Sequence, residues 1–521
     1  MNGKTLGWGL AAATLLALTA YGGFARAATD PQTSANTLID GTTDTVTNID
    51  PAGNYNYGTD TVDREIFQHL MTFQPHSTEP SPELATGCSA NANNTDWTCT
   101  LRQGVTFQNG DKFTSEDVKF SFDRVVKIHD PSGIWTLLSN LESVTTNGAY
   151  SVTFHLKEPQ STWEYILTTI AGYIVDHRVY PADKILPNSN QQIGTGLYSL
   201  VKYSPGQDAV FKSWDGYWGP KPKIPNLIIT YFSKSSTMKL ALQRGELDMA
   251  FRTFTPTEYA SLETAKGIKV WTGPGVEIRY LVLDAKRPPS DNLAVRQALA
   301  YLIPREAIAK DIYHGLVTPL YSMVPAAMPG HVPAFATDYG RTPDVAKAKA
   351  MLQKANVKTP VPLTIWWTPT HYGDASAEEY TEIKRALDAS GLFDVTLRSA
   401  EWGTYSKTLG TQYDAFQLGW FPDYPDAEDY LVPFYGTKSD FLSNDYSDPK
   451  MDAILAKEKA ARTTEERMKS VQEAQVLAAK DVPIIPYWQG AMIAVSRTDV
   501  HGVQGTLGPS FIMRFWLLSK S

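Results

Sequence analysis

Hydrophobic and polar positions switch period within one stretch, WTCTLRQGVTFQNGDKFTSEDVKFSFDR, which runs from Trp97 to Arg124. Leu101, Val105 and Phe107 are apolar positions separated by polar or small residues, the spacing of a half-buried strand, and Asn109-Gly110 supplies the positive-φ pair of a tight turn. Thr114 then predicts a helix N-cap. Asp117, three residues on, completes a capping-box pattern, and Val118, Phe122, Val125 and Val126 form one apolar face. Elsewhere the pattern predicts a weak strand over 37–50 and a loop AGNYNYG after Asp50-Pro51. Ile66, Phe67, Leu70 and Met71 have helical spacing within 63–73, and 75–82 is a proline-punctuated connector. A strand over 150–156 and a helical segment over 163–170 follow. Further on come a helix that ends at Gly245 and an amphipathic helix over 291–303 with Val295, Leu299 and Leu302 on one face. On that helix Arg296 is expected to be a structural anchor. Short apolar strands at 363–367, 395–397 and 415–418 alternate with helices, as in an α/β lobe.

A chain of 521 residues exceeds one hydrophobic core, and the usual domain size suggests roughly three domains. Lys plus Arg is 47 against 55 Asp plus Glu, with no basic run, which argues against a nucleic-acid surface or an anionic membrane as partner. Lys4, the apolar stretch 10–20 and Ala25-Arg26-Ala27 read as a secretory signal peptide cleaved near Ala27. The mature protein is therefore expected outside the cytoplasm. LTAYGG, residues 18–23, matches a lipoprotein box except that Tyr21 stands where lipid attachment needs a cysteine, so a periplasmic or released protein is expected rather than an anchored one. Cys88 and Cys99 close a short loop in an oxidising compartment and are expected to be bonded. The rival readings, a metal site or a redox pair, lack both a CxxC and a nearby histidine.

Candidate chemistry concentrates in DAFQLGWFPDYPD, residues 414–426. A buried strand runs there into a loop carrying a glycine, aromatics and a carboxylate. Gly419 permits close backbone approach, Trp420 offers a flat apolar wall, and Asp423 is an acceptor for a ligand ammonium group. Asp423, Asp426, Glu428 and Asp429 could instead supply the paired carboxylates of a secreted glycosidase, or a calcium site. No glycine-centred calcium loop, G-x-S-x-G elbow, H-E-x-x-H pair or Walker loop accompanies them, and the nine histidines are dispersed. Neither a cofactor nor a protein-built metal site is expected.

The pattern W-x-x-x-L-R-x-G-V-x-F-x-N-G-x-x-F-T-x-E-D-V-x-F-S-x-x-R resembles that of the peptide/nickel family (family 5) of extracytoplasmic solute-binding proteins, the receptors of ABC transporters of dipeptide and oligopeptide type. Ile193-Gly194-Thr195-Gly196-Leu197-Tyr198, the run ALQRGELD over 241–248 and VRQAL in the 291–303 helix look like further landmarks of the same family. The resemblance covers nearly the whole mature chain. It implies an α/β, two-lobed, periplasmic-binding-protein-like fold of type II with an extra domain and mixed sheets flanked by helices. Domain I would comprise 36–78, 194–280 and 489–521, domain II 79–193 and domain III 281–488, with hinges near 275–289 and near Trp488.

The segment around Trp420 resembles the family's G-W-x-x-D motif. That likeness implies that Asp423 holds the α-amino group of a peptide, that Gly419 and Phe421 offer main-chain hydrogen bonds and that Trp420 lines the pocket. Glu401-Trp402-Gly403-Thr404-Tyr405 resembles the family's E-W-x-x-Y segment, which adds Trp402, and Tyr55 and Tyr57 fall where the opposite lobe contributes contacts. Family members often carry basic residues just before G-W to meet a ligand carboxylate, whereas this chain has Gln417-Leu418. The expectation is a monomeric, non-enzymatic import receptor for short peptides that docks on membrane permease subunits. A non-peptide cargo (oligosaccharide, opine or metal chelate) and a secreted glycoside or peptide hydrolase are the alternatives.

Overall fold

The computed structural model describes residues 35–521 except 370, 374, 410, 411, 440, 441 and 443, so the expected signal peptide and Tyr21 lie outside the described residues. Three sheets organise the chain. The first has seven strands in the order Ile268–Gly273, Met492–Arg497, Met249–Phe251, Thr37–Thr42, Asn226–Tyr231, Asp208–Ser213 and Tyr198–Ser204. It is mixed, because Thr37–Thr42 runs parallel to both of its neighbours while the outer pairs are antiparallel. The second has six strands, Val317–Pro319, Ile484–Gly490, Ile278–Leu283, Ala415–Trp420, Val361–Trp367 and Phe393–Ser399. The third, antiparallel, comprises Ala85–Ala90, Asp96–Leu101, Ser151–Leu156 and Leu141–Thr146. Among the described residues no helix is long and apolar enough to cross a membrane.

The first and second sheets are joined at two places only, residues 274–277 and residue 491. The two crossing segments touch, since the Gly490 N–H donates to the Glu277 carbonyl at 2.9 Å and a Cβ on Gly275 would sit 1.9 Å from the Gly490 oxygen. Only glycine leaves room for that approach. The change of sheet therefore falls a few residues away from the 280/281 and 488/489 boundaries expected from sequence. The reason is that Ile278–Leu283 and Ile484–Gly490 pair along their lengths inside the six-stranded sheet.

Local reading and structure differ in two informative places. The strand expected to carry Leu101, Val105 and Phe107 ends at Leu101, because Gly104 turns the chain at φ +81°, yet Val105 and Phe107 remain buried. The helix expected within 63–73 instead spans Tyr57–Ile66, capped by Asn56, whose side chain accepts from the Thr59 N–H at 3.0 Å, and Met71–Phe73 is a short strand. A local N-cap thus decided the boundary more than apolar spacing did. Arg296 donates to the carbonyls of Asp481, Ser290 and Asp291, a structural anchor.

The helix Ser115–Ile128 explains why the Trp97–Arg124 stretch ends in arginine. At its N-terminus the Asp117 carboxylate accepts from the Thr114 N–H at 2.8 Å. Near its C-terminus Arg124 forks onto Asp50 with bonds of 2.7 and 2.5 Å, both side chains being almost wholly buried. Asp50 also accepts from the backbone of Ala52 and Leu186, so one carboxylate fixes three separate segments. Cys88 and Cys99 face each other across two antiparallel strands and are bonded.

Two stability outcomes follow from this packing. Replacing Arg124 by Met strands a buried carboxylate and is expected to lower unfolding free energy by about 3–5 kcal/mol, with Asp50→Asn on that background restoring part of the loss. Urea titration of the single and double variants measures both. Replacing both cysteines by serine is expected to cost about 2–3 kcal/mol through lost loop constraint, read from the same titration.

Candidate functional site

Strand ends of the seven- and six-stranded sheets meet at a cleft of about 860 Å³. Asp44 and Arg252 reach it from the first sheet, and Glu277, Arg279, Tyr372 and Phe421 from the second. Two ion pairs face the space, Arg252–Asp44 at 3.2 Å and Arg279–Glu277 at 2.7 Å. Each charge has an opposite partner, and each arginine also has flat aromatic neighbours. The Arg279 guanidinium lies between Tyr372 and Trp488, 4.2 and 4.8 Å from their ring centres. Trp488 is itself pinned by its Nε1–H donating 2.7 Å to Glu379. Glu379 is fully buried and also accepts from the hydroxyls of Tyr313 and Tyr487, at 2.9 and 2.6 Å, and from Gln417.

The loop after Ala415–Trp420 is organised by Asp429. Its Oδ2 accepts from Trp420 Nε1 at 2.8 Å and from the Asp423 N–H at 3.0 Å, which sets the indole and the aspartate backbone in one arrangement. Asp423 Oδ2 accepts from the Tyr55 hydroxyl at 3.1 Å, a bond that crosses between the segments carrying the two sheets. Oδ1 has no hydrogen-bond donor among the described residues. Burial pushes the Asp423 carboxyl up to about 7, the Tyr55 bond opposing the shift, and burial together with Asp423 raises Asp429 as well.

A family model for bacterial extracellular solute-binding proteins, family 5, middle region, matches residues 79–441. The chain belongs to that family. This family 5 member is 25% identical over 472 residues to the dipeptide-binding protein of Escherichia coli K12, covering 84% of this chain and 86% of that one. It is 27% identical over 437 residues to the glutathione-binding protein GsiB of Salmonella paratyphi A, covering 80% and 82%. The solved structure of DppA from Helicobacter pylori in complex with the peptide STSA superposes with a TM-score of 0.77 at 23% identity, covering 93% of this chain and 98% of that one. The fold of the family 5 member is accordingly the two-lobed α/β binding-protein fold.

Of the residues singled out from sequence, Phe421 lines the cleft, while Asp423, Trp420 and Tyr55 form the adjoining loop cluster. Trp402 stands one layer back, its ring stacked 3.6 Å from that of His371, which does line the cleft. Tyr57 lies in the first turn of a helix, not in a loop. Its hydroxyl donates to the Phe511 carbonyl and its ring lies 4.6 Å from the Arg252 guanidinium, so it supports that arginine. The close approach that Gly419 permits is made by Arg279, whose Nη1 would lie 2.1 Å from a Cβ there, and Gly419 pairs with Arg279 in the sheet.

Arg252, Arg279, Glu277 and Asp44 were not singled out from sequence. The only signal was a pair of charges, Glu277 and Arg279, flanking an otherwise apolar run, EIRYLVL. Asp429 was read merely as one acidic residue among four.

Asp423 also makes a stability prediction. Its raised folded-state pKa means that ionising it opposes folding, a cost absent below the unfolded value near 4 and fully present above about 7. Asp423→Asn is therefore expected to stabilise the protein at pH 8 by on the order of 1–3 kcal/mol, discounting for partial exposure, and to change little at pH 4. Thermal unfolding at the two pH values measures the difference.

Proposed function

We infer that the protein is the extracytoplasmic substrate-binding component of an ABC import system, which captures short peptides between its lobes and delivers them to a membrane permease. The observation that carries this reading is the half-buried Asp423 carboxylate, held by Tyr55 from the opposite lobe and placed two residues after Phe421 of the cleft wall. A carboxylate so placed takes the ammonium end of a peptide, and a fixed charge at one end lets side chains vary along the rest. Relatives named for dipeptides and for glutathione, itself a small peptide, support the cargo class. Family membership supports the import role. The binding residues are Asp423, Trp420 and Phe421, with Trp402, Tyr55, Tyr57 and the Gly419 main chain shaping the site.

The three-part division of the chain, with domain II built on the four-stranded sheet and ligand-driven closure about 274–277 and 491, belongs to the same reading. So do export with cleavage near Ala27, release rather than lipid anchoring at Tyr21, and action as a monomer. Cargo is retained intact rather than hydrolysed.

Asp423→Ala is expected to weaken binding of a peptide with a free amino terminus by roughly 2–5 kcal/mol, as when one partner of a sheltered charge pair is removed. An unchanged calorimetric titration rejects the assignment. Because the ammonium needs the ionised carboxylate, wild-type affinity is expected to fall about tenfold per pH unit below about 7, and Asp423→Asn to be flat over that acidic range. Mass spectrometry of the recovered ligand distinguishes retention from turnover.

A further inference from the structure

We propose that Arg252 is the carboxylate anchor of the cleft and that it receives the C-terminal carboxylate of the bound peptide. The proposal rests on the peptide reading above and answers what Gln417-Leu418 left open, namely where the anionic end of the ligand is neutralised. Arg252 follows the strand Met249–Phe251 and lines the cleft. Its Nη2 donates to Asp44 Oδ1 at 3.2 Å, whereas its Nη1, also sheltered from solvent, has no hydrogen-bond partner among the described residues. A buried guanidinium N–H without an acceptor is costly, and the cost is relieved by an anionic oxygen arriving in the cavity.

The surroundings hold that donor in place. Rings of Tyr57, Phe421 and Phe511 lie 4.6, 5.0 and 5.7 Å from the guanidinium carbon and flank it with flat apolar surface. The backbone is held in an unfavourable conformation to aim it. Arg252 and Thr253 have φ of +55° and +70°, a region that β-branched threonine rarely enters, and the Thr253 hydroxyl accepts from the Thr43 N–H at 3.2 Å. Arg279, the other cleft arginine, has both terminal nitrogens engaged, Nη2 by Glu277 and Nη1 by the Ile278 carbonyl, which leaves only its inner Nε without a partner among the described residues.

The placement also bears on closure. Phe421 touches Arg252 and lies two residues before Asp423, a separation along the chain of at most ~7 Å. Both residues thus border the Phe421 side of the cleft. Arg252 belongs to the seven-stranded sheet and Asp423 to the six-stranded one, so a ligand that satisfies both ties the lobes together.

The test is a binding comparison at pH 8 with three randomised dipeptide and tripeptide pools: free at both ends, C-terminally amidated, and N-terminally acetylated. Wild type, Arg252→Gln, Arg252→Lys and Asp423→Asn are each measured by native mass spectrometry and calorimetry on the mature protein. The expected result is that wild type prefers free-acid to amidated peptides at least tenfold. Arg252→Gln should abolish that preference by weakening the free acids ten- to a hundredfold while leaving the amides unchanged, and Arg252→Lys should keep part of it. Equal weakening of acids and amides by Arg252→Gln, or wild-type indifference to amidation while peptides still bind, overturns the Arg252 assignment alone. Failure of wild type to bind any pool overturns the peptide reading and this proposal together. Loss of discrimination against acetylated peptides in Asp423→Asn, with the acid preference intact, supports the division of roles.

Discussion

Everything in the cleft depends on how the chain passes between its two large sheets. It does so twice, through 274–277 and through residue 491, and the two passages are pressed together where Gly275 meets Gly490. Two adjacent short crossings are the geometry of a hinge rather than of a packed shear interface. The Tyr55–Asp423 hydrogen bond joins segments on the two sides of this joint.

The cleft is costly to build. It holds four charges in two ion pairs, and in each the arginine is flanked by aromatic rings. Desolvated pairs of this kind contribute little net stability compared with apolar packing of the same volume. Their value lies in the field they set up, with acceptors and donors fixed before ligand arrives. The same logic explains Asp423. Burial raises its carboxyl to about 7 against the opposing Tyr55 hydrogen bond, so it too is a charge held at a cost. The second layer supplies rigidity: Glu379 locks Trp488 behind Arg279, and Asp429 locks the loop that carries Trp420 and Asp423.

Sequence reading located the loop cluster because its members are close in the chain. Gly419, Trp420, Phe421 and Asp423 come from one segment, and a run of turn formers and aromatics after an apolar strand is visible to any periodicity analysis. It placed Tyr57 in a loop, whereas a cap at Asn56 draws it into a helix, and it gave no sign that Arg279 packs against Gly419. It passed over Arg252 and Asp44, which are 208 residues apart and whose pairing no local pattern encodes.

The amino-acid sequence by itself determined the α/β class, the capped helix and turn of the Trp97–Arg124 stretch, the family likeness and the strand and loop that bear Asp423. These depend on apolar period, turn chemistry and caps, all of which act over a few residues. Tertiary structure alone decided which charges share the cleft, which guanidinium nitrogens are left without a partner, and how far Asp423 is drawn from water. The physical reason is that burial and charge pairing are properties of what surrounds a residue in space, and here that surrounding is assembled from strand ends hundreds of positions apart.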